Sequence, residues 1–302
     1  MNLHKYLLAG TLAVVFWSTS FVGTKMAYES FPPLTLGAAR FIVASLVLGA
    51  FLLIKKEFVL PPKKDLLLMS ISGLLGVTIY FAMENVGVQL TTASNAALII
   101  ASYPAITAGF EVLLKRSRVS WIKVIGIVIT IVGVYQISSS NEGGIGEGQL
   151  AGNILLIGAG VVWVFYNFIT RSFVNQYSMI TVSFYQTISG TLAFIPLAVI
   201  EREKWQIPSL NSWIVMLYLG VFCSVIAFML YNYALRKLSP STAVTLMNLV
   251  PVFGVVFSWM ILNEQIHASQ LVGGMIVIVG VVLSMRTDTV KLPLSGTPSQ
   301  TG

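Results

Sequence analysis

The sequence predicts an all-α polytopic membrane protein of ten transmembrane helices, built as two inverted five-helix repeats with both termini cytoplasmic. Three observations carry this prediction. Of 302 residues, 56% are hydrophobic and only 10% charged, more apolar surface than a soluble globule keeps out of water. The apolar residues fall into ten stretches of about 18 to 24 residues, each long enough for a hydrocarbon core of ~30 Å, and a span in lipid must be helical to pair its backbone groups. Finally, the chain reads twice. Trp17 recurs as Trp163 at an offset of 146, and Phe81, Asn85, Ser94, Pro104, Gly126 and Gly133 recur as Phe228, Asn232, Ser241, Pro251, Gly273 and Gly280 at an offset of 147. Five spans per copy is an odd number, so the second copy enters the membrane upside down.

The first repeat occupies residues 5–137. Its first span, near 6–27, follows Lys5 and is followed by Lys25 instead of a small-residue cleavage site, which makes it an uncleaved helix and not a signal peptide. Trp17, Ser20 and Thr24 share one of its faces by helical period. The second span, near 35–54, carries Arg40, and the third, near 66–88, carries Tyr80 and Glu84 one turn apart. In the fourth, near 93–114, Tyr103 directly precedes Pro104, and Glu111 lies four residues before Lys115, the spacing of a helical ion pair. The fifth, near 120–137, holds Gly126 and Gly133 two turns apart, a small-residue face for close helix packing.

Residues 138–150 are polar and rich in glycine, read as a flexible linker outside the membrane. Without a preceding soluble strand or a Lys-Ser/Thr partner the glycines are no phosphate cradle. The second repeat, 151–286, has spans near 151–171, 178–200, 211–235, 241–262 and 268–285. The first of these places Trp163, Tyr166, Asn167 and Thr170 on one face, the equivalent of the Trp17 face. Cys223 sits midspan and alone, so it is a packing residue and no disulfide framework exists. Tyr231 stands where the first repeat has Glu84. Ser241, Thr245 and Asn248 align along one helix face, Asn248 in place of Ala101. Residues 287–302, rich in Thr, Ser, Pro and Gly, read as a disordered tail.

Charge fixes the orientation. With the N-terminus inside, fourteen Lys and Arg residues fall in inner loops, and only Arg202 and Lys204 fall outside. The net charge of +7 therefore belongs to membrane topology and gives no reason to expect nucleic acid. The bias also switches between the halves: residues 115–123 are basic, whereas their equivalents near 263–268 carry Glu264 and His267.

Ionisable residues inside a membrane are functional candidates by default. Lys25, Arg40 and Glu84 each fall in the outer third of a span and together make a candidate charge network. One reading of it is neutralisation and helix locking, with a cation bonded to helix C-terminal carbonyls. The other makes Glu84 a proton-coupling or substrate-amine site. The candidate substrate-binding set is Trp17, Ser20, Tyr80, Glu84, Tyr103, Trp163, Tyr166, Asn167, Tyr231 and Asn248, an aromatic lining with few polar groups, as small-molecule cavities have. Pro104 and Pro251 lack the donor that would bond the carbonyls of Ile100 and Met247, which predicts helix bending at both. No catalytic residue, metal site or cofactor is expected: His4 and His267 lie at a chain end and in a loop, and no nucleophile-base or metal-ligand spacing exists. A filter-like segment and a nucleotide motif are also missing. The expected partners are a small-molecule substrate and the lipid bilayer, with a passive facilitator or an importer of organic cations as alternatives; the oligomeric state is open.

The run Trp17, Ser18, Phe21, Lys25, Pro32, Arg40 and Phe41, and the second-half run from Ser241 through Pro251 to Glu264, Gly273 and Gly280, resemble the drug/metabolite transporter superfamily in its ten-helix EamA-type branch, which includes YddG-like amino acid exporters. The resemblance covers residues 5–286. It implies export of amino acids or related metabolites through a central cavity between inverted halves, in the inner membrane of a bacterium. It also implies architectural roles for Lys25 and Arg40. Ser117 stands where the second half has Glu264, so a role for that Glu applies to one half only.

Overall fold

The computed structural model describes residues 4–56, 58–115, 121–138, 147–238 and 240–285. The tail and most of the linker lie outside the described residues; Glu147–Leu150, assigned to the linker from sequence, opens a helix instead. Among the described residues every regular element is helical. The helices are α1 (His4–Ala27), α2 (Pro33–Lys55), α3 (Lys63–Gly73), α4 (Tyr80–Leu90), α5 (Ala93–Ile100), α6 (Tyr103–Lys115), α7 (Trp121–Ser138), α8 (Glu147–Phe173), α9 (Met179–Ile200), α10 (Leu210–Tyr218), α11 (Ala227–Leu235), α12 (Pro240–Thr245), α13 (Val250–Leu262) and α14 (Ala268–Met285). Seven stretches are long and apolar enough to cross a membrane, and Val124–Ile137, Val252–Leu262 and Ala268–Leu283 are shorter apolar helices.

The burial pattern fits a polytopic membrane protein. Leu46, Leu53 and Ile200 are about 70% exposed, while Asn85, Asn95, Asn167 and Asn232 are wholly buried. In lipid this arrangement costs nothing on the outside, and it keeps polar groups among partners inside.

Helix ends follow local chemistry. The Thr92 side chain caps α5 by accepting from the Asn95 nitrogen at 3.0 Å, and Ser178 and Ser209 do the same for α9 and α10. Pro33 begins α2 at a position where no backbone donor is needed. Asn263, at φ 51°, closes α13 in the left-handed conformation that asparagine tolerates.

Two interruptions were expected as bends; the first is a complete break and the second a change of helix type. The chain leaves the helix at Ala101–Ser102 and restarts at Tyr103, with Pro104 second in α6. Ser102 stabilises the broken end, its nitrogen and its hydroxyl both bonding the Ile99 carbonyl, at 2.9 and 2.7 Å. In the second half α12 passes into a 3₁₀ turn, Leu246–Leu249, and α13 restarts with Pro251 in second position. A proline in the first turn of a helix wastes no donor, so an interruption accommodates it better than a bend.

Two further irregularities are invisible to hydropathy. Leu74–Ile79 joins α3 to α4, and Leu219–Ile226 joins α10 to α11, each as a wide π-helical turn. Gly73 at the first lies so near the Gln186 backbone that a Cβ would stand 2.1 Å from its carbonyl oxygen. Hence α3 touches α9 backbone to backbone.

Among the described residues the most extensive helix pairing is α7 against α14. A Cβ on Gly280 would stand 2.5 Å from the Thr130 nitrogen and 2.7 Å from the Gly126 oxygen, and one on Gly133 would stand 2.7 Å from the Val277 nitrogen. Backbone atoms cannot move aside as side-chain ends do. Gly280→Leu therefore forces the pair apart and destabilises the protein by about 2 kcal/mol, read as a lower melting temperature in detergent; an unchanged melting temperature would show that α7 and α14 do not pack this way.

Candidate functional site

Where the interruptions meet the centre of the bundle, the structure holds a small cavity of about 20 Å³. Room of that size suits a water molecule or two. Its lining is drawn from both halves: Trp17, Ser20 and Phe21 of α1, Tyr80, Phe81 and Glu84 of α4, and Trp163 of α8. Ile100 at the end of α5, Met247 in the 3₁₀ turn and Val250 at the start of α13 complete it, so both helix interruptions open onto this space. Glu84 is the only charged side chain among the described lining residues.

The aromatic walls brace one another. Trp17 and Trp163 meet edge to face at 5.5 Å, Trp163 stacks on Tyr166 at 4.6 Å, and Tyr80 lies 4.9 Å from Trp163. The Trp17 indole nitrogen donates to the Cys223 carbonyl in the second π-helical turn at 3.0 Å, which fixes its ring. The corresponding nitrogen of Trp163 has no acceptor in hydrogen-bonding geometry. Ser20 spends its hydroxyl on the Trp17 carbonyl at 2.7 Å. The Tyr80 hydroxyl lies beside the Glu84 carboxylate.

Other candidates occupy different ground. Tyr103 stands behind Tyr80, wholly buried, and donates to the Leu156 carbonyl at 2.8 Å. Tyr166, Asn167 and Tyr231 belong to a polar network next to the cavity. Tyr231 donates to Asn167 at 2.8 Å, Asn167 to the Trp163 carbonyl at 2.7 Å, and Tyr166 to Asn232 at 2.9 Å. Asn232 in turn donates to Gln186 at 3.1 Å, and Gln186 to Ser72 and Thr170 at 3.0 and 2.8 Å. Groups so fully paired hold helices together and leave little for a ligand. The side chains of Asn248, Pro251 and Glu111 lie outside the described residues.

Lys25, Arg40 and Glu84 are not brought into one network. Lys25 donates to the Thr91 carbonyl just past α4, near Glu264. The Glu264 carboxylate accepts from the Ala93 and Ser94 nitrogens at 2.9 and 3.0 Å and from the Ser94 hydroxyl at 2.6 Å. An acid at a helix N-terminus and a cation at a helix C-terminus both complement the helix dipoles, so this cluster ties the second half to the first. Arg40 is wholly buried, its Nε bonded to the Ser224 hydroxyl at 3.0 Å and its guanidinium over the rings of Phe81 and Phe41 at 4.6 and 5.3 Å. It feels the charge of Glu84 without a hydrogen bond to it.

Phe21, Phe81, Ile100, Met247 and Val250 also line the cavity, and the sequence pattern does not single them out as lining. Phe21 had a signal: it lies one turn beyond Trp17. Phe81 was visible as a repeat position but not as part of a face.

Comparison with known proteins agrees with the architecture. The profile of the EamA-like transporter family matches residues 4–139 and 150–286. An "Uncharacterized transporter" of Archaeoglobus fulgidus is 28% identical over 94% of this chain and 98% of its own. The "Uncharacterized inner membrane transporter YedA" of Escherichia coli (strain K12) is 26% identical over 89% and 87%. The "Probable terminal-alkyne amino-acid exporter" of Streptantibioticus cattleyicolor is 26% identical over 99% and 100%. A protein of solved crystal structure, 19% identical, superposes with a TM-score of 0.69 over 93% of this chain and 96% of its own, a likeness of fold.

Proposed function

The chain belongs to the EamA-like transporter family of the drug/metabolite transporter superfamily, and we propose that it is a secondary exporter of small amine-bearing metabolites, amino acids among them, working by alternating access in a bacterial inner membrane. The observation that carries this reading is the central cavity, with one carboxylate, Glu84, among aromatic faces and with both helix interruptions at its wall. An ammonium group is held by such a set through cation-π contact and a charged hydrogen bond. Interruptions facing a midplane site are where a transporter both binds and bends.

In this proposal ten helices cross the bilayer as inverted repeats, 5–137 and 151–286, with the termini cytoplasmic. Its support lies in equivalent residues that touch each other, as they do near a pseudo-twofold axis. Trp17 meets Trp163, Phe81 lies 6.0 Å from Phe228, Ser45 is hydrogen-bonded to Thr191 at 3.0 Å, and α7 packs on α14. The two π-helical turns and the two interruptions also fall at equivalent positions. The Streptantibioticus relative's name speaks for amino-acid export in a protein of this length.

The test is counterflow in proteoliposomes. Vesicles preloaded with each of the twenty L-amino acids, or with a primary amine such as phenethylamine, should accumulate the labelled compound when the protein is present. Equal uptake in protein-free vesicles for the whole panel would defeat the proposal.

A further inference from the structure

Arg40 carries a buried charge that its neighbours only partly satisfy. Its side chain is wholly buried, yet Nη1 and Nη2 have no hydrogen-bond partner. The ring faces of Phe81 and Phe41 offset part of the charge, but a ring accepts no directed hydrogen bond from either nitrogen. Burying an ion without its hydrogen bonds is among the more costly arrangements in a fold, and such a group calls for an explanation.

Helix locking does not supply one. The equivalent position in the second half is Gln186, an uncharged amide that is fully bonded to Asn232, Ser72 and Thr170 and holds α9 against its neighbours. Arg40 makes a single bond, to Ser224, where that amide makes three. The guanidinium is more than the architecture requires.

Arg40 itself is not among the described lining residues of the cavity, but its neighbours are. Phe81, which carries the guanidinium on its face, is a wall of the cavity, and so are Glu84 and Tyr80, both near Arg40. Two opposite charges thus lie beside one chamber, within each other's field, without bonding each other.

We propose that Arg40 is the carboxylate-binding residue of this cavity and that, with Glu84, it receives the two ends of an α-amino acid zwitterion. The inference rests on the cavity being the substrate site. A planar carboxylate matches the two free donors of the guanidinium, and the α-ammonium meets Glu84 and the aromatic faces. The side chain then lies against Trp17 and Trp163. Binding requires the Phe81 ring, on which the guanidinium lies, to turn aside, and the chamber of about 20 Å³ to widen from room for water to room for an amino acid. A plain organic cation leaves both Arg40 nitrogens unpaired, and a plain carboxylate places its charge beside Glu84. The zwitterion satisfies both groups and adds no net charge.

Equilibrium binding to the purified full chain tests this with defined probes: the twenty L-amino acids and, for each that binds, its decarboxylated amine and its deaminated acid. The amino acid should bind at least tenfold more tightly than either relative. In Arg40→Gln, which installs the residue found at the equivalent position of the second half, the amino-acid-to-amine affinity ratio should fall at least tenfold. An amine that binds wild type as tightly as its amino acid overturns the proposal, as does an unchanged ratio in the variant, or no amino acid binding at all. If Arg40→Gln does not fold, the wild-type ratio alone decides. A cation that binds while no amino acid does removes the zwitterion site and leaves the cavity standing; binding that Trp163→Ala does not weaken removes the cavity itself.

Discussion

Trp163→Ala should lower transport at least tenfold while leaving a folded, extractable protein. Trp163 is 1% exposed and forms the centre of the aromatic cluster, stacked on Tyr166, tilted against Tyr80 and Tyr231, and edge-on to Trp17. Truncation removes a cavity wall together with these contacts and a fifth, to Phe228 at 6.0 Å. The cost in stability is about 3–5 kcal/mol by analogy with other buried Trp and Phe residues, which a bundle this extensive can survive. The functional loss should be larger, because the wall is where a substrate would stack. Trp163→Phe retains a ring and should recover part of the rate. Initial rates in proteoliposomes, at equal amounts of monodisperse protein, make the comparison; wild-type rates for the alanine variant would place the substrate elsewhere.

Glu84→Gln is the second large effect. The change is nearly isosteric, so the packing against Tyr80 survives, but the only charge among the described lining residues is gone. A hydrogen bond to a charged group contributes about 1.5–3 kcal/mol, so affinity for an ammonium-bearing substrate should fall tenfold or more. If Glu84 also carries the coupling proton, transport by Glu84→Gln stops responding to an imposed pH gradient. Both are read from flux at varied substrate concentration, with and without the gradient. Unchanged affinity and a retained response would return Glu84 to a purely structural role.

Much of the fold was legible because lipid enforces a simple rule on sequence. The helical class, the glycine faces at Gly126, Gly133, Gly273 and Gly280, and the paired prolines follow from hydropathy and backbone chemistry, whereas of the ten expected spans seven are long and apolar enough to cross a membrane and three are shorter apolar helices. The α1 face of Trp17 and Ser20 was legible for the same reason: α1 is unbroken, so a period of 3.6 holds along it. The period fails where a π-helical turn inserts extra residues. Leu74–Ile79 lies just before Tyr80, Phe81 and Glu84, and it rotates their direction relative to α3 by an amount that hydrophobic spacing does not encode.

The partition of polar residues between cavity and network was illegible for another reason. Tyr166 and Asn167 share a helix with Trp163, but whether they meet substrate or protein depends on Asn232 and Tyr231 in a helix more than sixty residues away. Similarly, Lys25, Arg40 and Glu84 lie at comparable depth, and depth says nothing about direction around the helix axis. Lys25 turns to Thr91 and Glu264, and Arg40 turns to Ser224.

Alternating access at the cavity is the claim on which the rest stands. Ser20 lines that cavity and is 3% exposed, and the native thiol Cys223 is buried. In a Cys223→Ala background, Ser20→Cys can be challenged with a membrane-impermeant thiol reagent in right-side-out vesicles and, separately, in inverted vesicles. Modification from both faces is the predicted result; modification from one face only, or from neither, would contradict it.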